Sequence, residues 1–180
     1  DGLRIAMVGD LRYGRTVHSL SRLLTLFSNV EIRLVSPVEL QMPAYIVEEM
    51  RACGHRVTET DVLETGIAGV DIVYSTRIQE ERFASRAEAD VYRGRFRLNH
   101  SVYTANCEPN TVIMHPLPRD SREGARELDV DLNDNPNLAI FRQSDNGVLI
   151  RMALFALILD VVDQVDTHAR DVNWFTERRF

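Results

Sequence analysis

The chain has 180 residues, of which 44% are hydrophobic and 27% charged, with a formal net charge of -6 and a pI near 5.4. That length supports one domain with a full core, and the acidic balance argues against a general nucleic-acid binder, whose footprint is basic. No apolar run reaches the roughly 18 residues of a membrane span, and all 21 basic residues are Arg, which excludes a Walker-type phosphate loop and a Schiff-base lysine.

Leu3 to Val8 is a short apolar run that predicts a first strand. Val17, Leu20, Leu23, Leu24 and Phe27 follow at helical spacing, so a helix is expected from Thr16 to about Phe27. Glu31 to Val35 predicts a second strand. Pro43 suits the first turn of a second helix, whose face is Tyr45, Ile46, Val47 and Met50, with Gly54 just beyond its end. His55 to Thr58 predicts a third strand, Asp61 to Ala68 a weak helix, and Asp71 to Tyr74 a fourth strand. Gln79 to Tyr92 reads as a solvated loop followed by a surface helix. Thr111 to Met114 is a fifth strand, and Asp120 to Asn137 an exposed, acid-rich loop with a turn of helix. Leu138 to Phe141 resembles a further buried strand. A last helix is expected over about 147–162, from Gly147 through Val162.

Alternating strands and helices of these lengths predict an α/β fold. The expected architecture is a doubly wound, mostly parallel, Rossmann-like sheet of about five strands with helices on both faces. The last helix is apolar on every side from Met152 to Leu159, which suits either a central core helix or a helix awaiting a partner. Its tail carries Trp174, Phe175 and Phe180, and docks as an extra helix or stays disordered. Cys53 and Cys107 are far apart, in no metal-like spacing, and are expected to be buried or inert thiols in a reducing cytoplasm. No secretory leader is expected. With Asp1 opening almost directly into a strand, the chain is expected to be part of a longer one.

Three motifs share one topological address, the carboxyl end of a predicted strand. They are Gly9-Asp10-Leu11-Arg12-Tyr13-Gly14-Arg15, Ser75-Thr76-Arg77-Ile78-Gln79 and His115-Pro116-Leu117-Pro118. In open α/β sheets that edge, where the strand order reverses, is where ligands bind. Arg15 and Arg77 can each clamp a carboxylate with two parallel hydrogen bonds. Gln79 adds an amide, and the proline-flanked turn supplies backbone carbonyls that accept from an amine. The implied ligand has one or two carboxylates and a nitrogen group. Taken singly, Arg15 also fits a solvated surface residue, Arg77 a partner of Glu80 or Glu81, and His115 a turn residue. His18 is expected to be structural. No zinc site, catalytic triad or dinucleotide fingerprint is present in the pattern.

These motifs, with Phe141-Arg142-Gln143, Asn146-Gly147 and Arg151-Met152-Ala153-Leu154, resemble in order and spacing the aspartate-binding domain of the aspartate carbamoyltransferase family. The resemblance covers residues 3 to about 160. It implies transfer of the carbamoyl group of carbamoyl phosphate to L-aspartate in pyrimidine biosynthesis, without metal or organic cofactor. It assigns Arg15, Arg77 and Gln79 to the aspartate carboxylates and the carbonyls of Leu117 and Pro118 to the carbamoyl and amino groups. Tyr13, Thr16 and His115 are supporting residues, and the Leu117–Pro118 bond is expected to be cis. No residue of the chain is assigned a catalytic role by itself. The segment from Gln79 to Ala89 matches a loop that closes on substrate. Ornithine carbamoyltransferases are similar but carry Cys in place of Pro116, and Arg77 with Gln79 favours an anionic side chain over a cationic one.

The family's carbamoyl-phosphate half, with its Ser-Thr-Arg-Thr-Arg run, has no counterpart here. The expected organisation is therefore an aspartate-binding domain over 1–163 and a tail over 164–180. The chain would be an incomplete enzyme, expected to need the other half for turnover and to be a homo-oligomer, a trimer when complete. The last helix would pack on the absent half, so the chain is expected to self-associate or to swap that helix. Neither nucleic acid nor membrane is an expected partner. The segment Asp120 to Leu128 is longer and more charged than is usual for the family, which places the geometry beside Arg119 in question. A non-catalytic binding or interaction domain that keeps the fold is the alternative.

Overall fold

The computed structural model describes residues 1–120, 122 and 124–168. The tail residues Trp174, Phe175 and Phe180 lie outside them. So do Ser121 and Glu123 within the charged segment.

Five strands form one sheet: β1 (Arg4–Val8), β2 (Glu31–Val35), β3 (Arg56–Thr60), β4 (Ile72–Ser75) and β5 (Val112–Met114). Their spatial order is β3-β2-β1-β4-β5, and every neighbouring pair is parallel. The central β1 is buried on both faces from Ile5 to Val8, which is why its sequence is a continuous apolar run rather than an alternation. Helices α1 (Arg15–Leu24) and α2 (Ala44–Ala52) pack on each other, as do α3 (Leu63–Ile67) and α5 (His100–Asn106). Right-handed crossovers explain the pairing. The chain runs outward from β1 to β3, returns, and runs outward again through β4 to β5, so α1 and α2 cover one face and α3 and α5 the other. The core joins Ile5, Met7, Val17, Leu24, Ile32 and Leu34 to Ile46, Val47 and Met50.

Several expectations are corrected. Leu138 to Phe141 is not a strand. Leu138 makes one bridge to Ile113, and Ile140 begins helix α6 (Ile140–Ile158). A four-residue apolar run carries no periodicity to separate the two states. Helix α6 starts before Gly147, because the polar run Ser144-Asp145-Asn146-Gly147 lowers helix propensity without breaking the helix. The segment 120–137 is not simply exposed: Ala125, Glu127, Leu128, Asp129 and Leu132 are buried. Its charges pair with one another and with neighbouring loops, and that compensation is what allows charged residues inside. Cys53 is exposed; Cys107 is half-buried, and burial pushes its thiol up to about 11. The surface helix expected before Tyr92 is present as α4 (Arg86–Asp90), capped by the Ser85 hydroxyl.

Asp1–Ile140 forms one compact unit and the residues from Phe141 another. Along α6 only Ile140, the last residue of the first unit, is buried, while Leu149, Ile150, Met152, Leu154, Phe155 and Ile158 of the second are exposed. That exposure does not match a core helix. No helix among the described residues is long and apolar enough to cross a membrane.

Candidate functional site

The strand order reverses between β1 and β4, and the loops after β1, β4 and β5 leave the carboxyl ends of three adjacent strands. The first loop turns sharply at Gly9, whose φ is +118°. A Cβ there would lie 2.1 Å from the Thr76 carbonyl oxygen, so the absence of a side chain lets the first two loops touch. Asp10 then ties them together. Its Oδ1 accepts from the Tyr13 N–H (2.9 Å) and its Oδ2 from the Gln79 N–H (3.0 Å). Burial raises the Asp10 carboxyl above its ordinary value, and the backbone N–H bonds pull the other way. Its charge therefore costs free energy in isolation and is kept by the two loops it joins.

Arg15 and Thr16 are exposed at the start of α1, which follows Gly14 without a side-chain cap. Uncapped N–H groups at a helix start favour an anion. Tyr13 sets its ring edge on Phe83 at 5.7 Å between centroids, Phe83 meets Tyr92 at the same separation, and the Arg12 guanidinium lies 5.2 Å from the Tyr13 centroid. This aromatic chain fastens the segment after β4 to the opening turn. His18 contacts the Leu11 carbonyl oxygen at 2.8 Å, a structural role as expected.

Arg77 holds a carboxylate already. Its two terminal nitrogens meet Glu81 at 3.1 and 2.7 Å, and one also donates to the Ile78 carbonyl at 3.2 Å. The guanidinium beside Glu81 holds that carboxyl below its ordinary value. A ligand carboxylate reaching Arg77 must share or displace Glu81, and the forked geometry for doing so is in place.

After β5 the chain turns at His115-Pro116-Leu117-Pro118. Leu117 takes a φ of +57° and the Leu117–Pro118 peptide is cis. The Leu117 N–H donates to His115 Nδ1 at 2.9 Å. Arg119, whose surroundings the charged segment placed in question, is tied to Asn133 Oδ1 at 2.9 Å.

The fold thus brings the motifs of Arg15, Arg77 with Gln79, and Leu117 with Pro118 to one edge. Sequence reasoning missed the acids that hold the loops. Asp10 sits inside a quoted motif, but nothing in the sequence shows that it reaches Gln79. Glu80 binds Arg93 (2.7 Å) and Arg122, and Arg122 also binds Asp120, so the segment after β4 is joined to the segment after β5. Arg93 first, then Arg122, draw Glu80 from 4.5 down to about 2. A depressed acid stabilises the fold above its unfolded pKa, and the contribution is lost as pH falls through its folded one. The link between the two loops should therefore loosen between about pH 4.5 and 2. Following the Glu80 side-chain carboxyl by NMR should give a midpoint near the lower limit, returning toward the upper in Arg122→Ala with Arg93→Ala. An unshifted midpoint in the native chain would dismiss the link. Among the described residues no cluster of three or more His, Cys, Asp or Glu could hold a metal ion.

The family description "Aspartate/ornithine carbamoyltransferase, Asp/Orn binding domain" matches residues 1–158. Aspartate carbamoyltransferase catalytic subunits are similar along nearly the whole chain. The Cellvibrio japonicus protein is 72% identical over 99% of this chain and 53% of its own length, and the Saccharophagus degradans protein 69% identical over 100% and 53%. The chain spans about half the length of these curated relatives. Among solved structures, the catalytic subunit of M. jannaschii aspartate transcarbamoylase superposes with a TM-score of 0.76 at 41% identity, over 89% of this chain and 50% of that one. The Trypanosoma cruzi aspartate transcarbamoylase in complex with aspartate and phosphate gives 0.73 at 32% identity, over 86% and 46%.

Proposed function

The chain belongs to the aspartate/ornithine carbamoyltransferase family, and from that premise we propose that it is the L-aspartate-binding half of an aspartate carbamoyltransferase. Arg15 and Arg77 bind the two carboxylates of aspartate, with Gln79 assisting, and the carbonyls of Leu117 and Pro118 accept from the amino and carbamoyl groups. Tyr13, Thr16 and His115 support these contacts. Carbamoyl phosphate completes the site from the half of the enzyme that this chain does not contain. The amine nitrogen of aspartate then attacks the carbamoyl carbon, the bond from that carbon to the phosphate oxygen breaks, and the proton that the amine loses leaves with the phosphate. The products are N-carbamoyl-L-aspartate and phosphate. Positioning and charge stabilisation carry the rate, without a cofactor.

One observation carries this reading: Arg77 is already arranged as a two-pronged carboxylate clamp beside the Asp10-linked opening turn. We place the aspartate-binding domain at 1–163 and its setting in the cytoplasm. The complete enzyme is a homo-oligomer, a trimer, and this chain alone does not turn over. Titration calorimetry of the chain with L-aspartate, succinate and L-ornithine tests the assignment. Heats with the two dicarboxylates and none with ornithine are expected. Binding of ornithine in preference would overturn it, since a cationic side chain has no place between two guanidinium groups.

A further inference from the structure

We propose that Glu127 is a positioning residue for the carbonyl turn, acting through the imidazole of His115; the proposal rests on the aspartate reading above. Glu127 is 7% exposed and His115 1%, and His115 Nε2 lies 2.8 Å from Glu127 Oε1. The opposite ring nitrogen, Nδ1, accepts from the Leu117 N–H at 2.9 Å. A nitrogen that accepts carries no proton, so the neutral ring holds its proton on Nε2, the atom 2.8 Å from the carboxylate oxygen. The attraction between that proton and the carboxylate favours this tautomer. The other tautomer would set an N–H against the Leu117 N–H.

Glu127 reaches a second point of the same turn, since the Asp120 N–H donates to Oε1 at 3.1 Å and to Oε2 at 3.3 Å. Its own backbone is held from elsewhere: the Glu127 carbonyl accepts from the Leu98 N–H at 2.8 Å, beside the bridge between Leu98 and Leu128. One buried carboxylate on a separately anchored segment therefore bears on residues 115, 117 and 120. Leu117 needs such support, because its φ of +57° is a conformation that a side chain disfavours. The Leu117 N–H shares its peptide plane with the Pro116 carbonyl, so holding it fixes the peptide unit that leads into the Leu117 and Pro118 carbonyls. In this chain the charged segment after Arg119 supplies a part of the site's supporting structure.

The test uses the full chain with ¹⁵N-labelled histidine. The native protein and Glu127→Gln should show His115 protonated on Nε2, because the amide oxygen can replace Oε1, and Glu127→Ala should shift toward the Nδ1 form. Ligand binding supplies a readout that general loosening would not give. Succinate lacks the amine that the carbonyls receive. Glu127→Ala should therefore weaken L-aspartate by roughly tenfold more than succinate, the size of one lost hydrogen bond to a charged group, and Glu127→Gln should restore the ratio. Proton occupancy on Nδ1 in the native chain, or an unchanged aspartate-to-succinate ratio in Glu127→Ala, overturns the proposal. Arg77→Ala separates the two claims. If it weakens neither ligand the aspartate reading fails, and the tautomer measurement still decides the role of Glu127.

Discussion

Replacing Arg77 by Ala should reduce dicarboxylate binding by about 10²- to 10³-fold while leaving the fold in place. The binding loss follows from removing a forked, charge-assisted pair of hydrogen bonds at a partly desolvated site, where truncating one partner costs about 2–5 kcal/mol. The small cost to the fold follows from the partner Arg77 now has. The Arg77 and Glu81 side chains are 31% and 52% exposed, and pairs of that kind contribute about 0–1 kcal/mol. Calorimetry with succinate and thermal denaturation, run on the same preparation, separate the two. Arg77→Lys should recover only part of the affinity, because an ammonium keeps the charge and loses the fork. Native-like succinate affinity in the Ala variant would remove Arg77 from the site.

Gly9→Ala should do the opposite, damaging the fold and through it the site. The new Cβ would meet a backbone carbonyl oxygen at 2.1 Å, at a φ of +118°. The Thr76 backbone, just past the end of β4, is held in place, because the Thr76 N–H donates to the Val8 carbonyl (2.8 Å) and the Gly9 N–H to the Val35 carbonyl (3.0 Å). Overpacking and backbone strain together should cost about 3 kcal/mol or more, a fall in Tm of roughly 6–12 °C for a domain of this size. The Asp10 bond to Gln79 should open as well. A melting temperature within about a degree of the native one would show that the two loops do not meet as described.

The contrast between these residues marks what was legible. Arg77 stands out in the sequence because a guanidinium at a predicted strand end can clamp a carboxylate, a chemistry that is read from the residue type alone. Gly9 was legible as a turn, but its close approach to Thr76 was not, since that depends on β4 lying beside β1. Glu81 was named only as one of two possible partners of Arg77, and the structure selects it. The segment 120–137 misled most. Its charges suggested water on all sides, whereas Glu127 and Asp129 are buried and paired with His115 and Arg97.

By itself the sequence determined the five strands, the parallel α/β class and the three strand-end motifs. Each of these follows from local periodicity or from the chemistry of a single side chain. Only the tertiary structure decided how the loops are held: Asp10 bridging to Gln79, Glu80 to Arg93 and Arg122, and Glu127 to His115. Each of these contacts joins residues brought together by strand order or by loop packing. A carboxylate's role there depends on which donors surround it after burial, and no spacing along the chain encodes that.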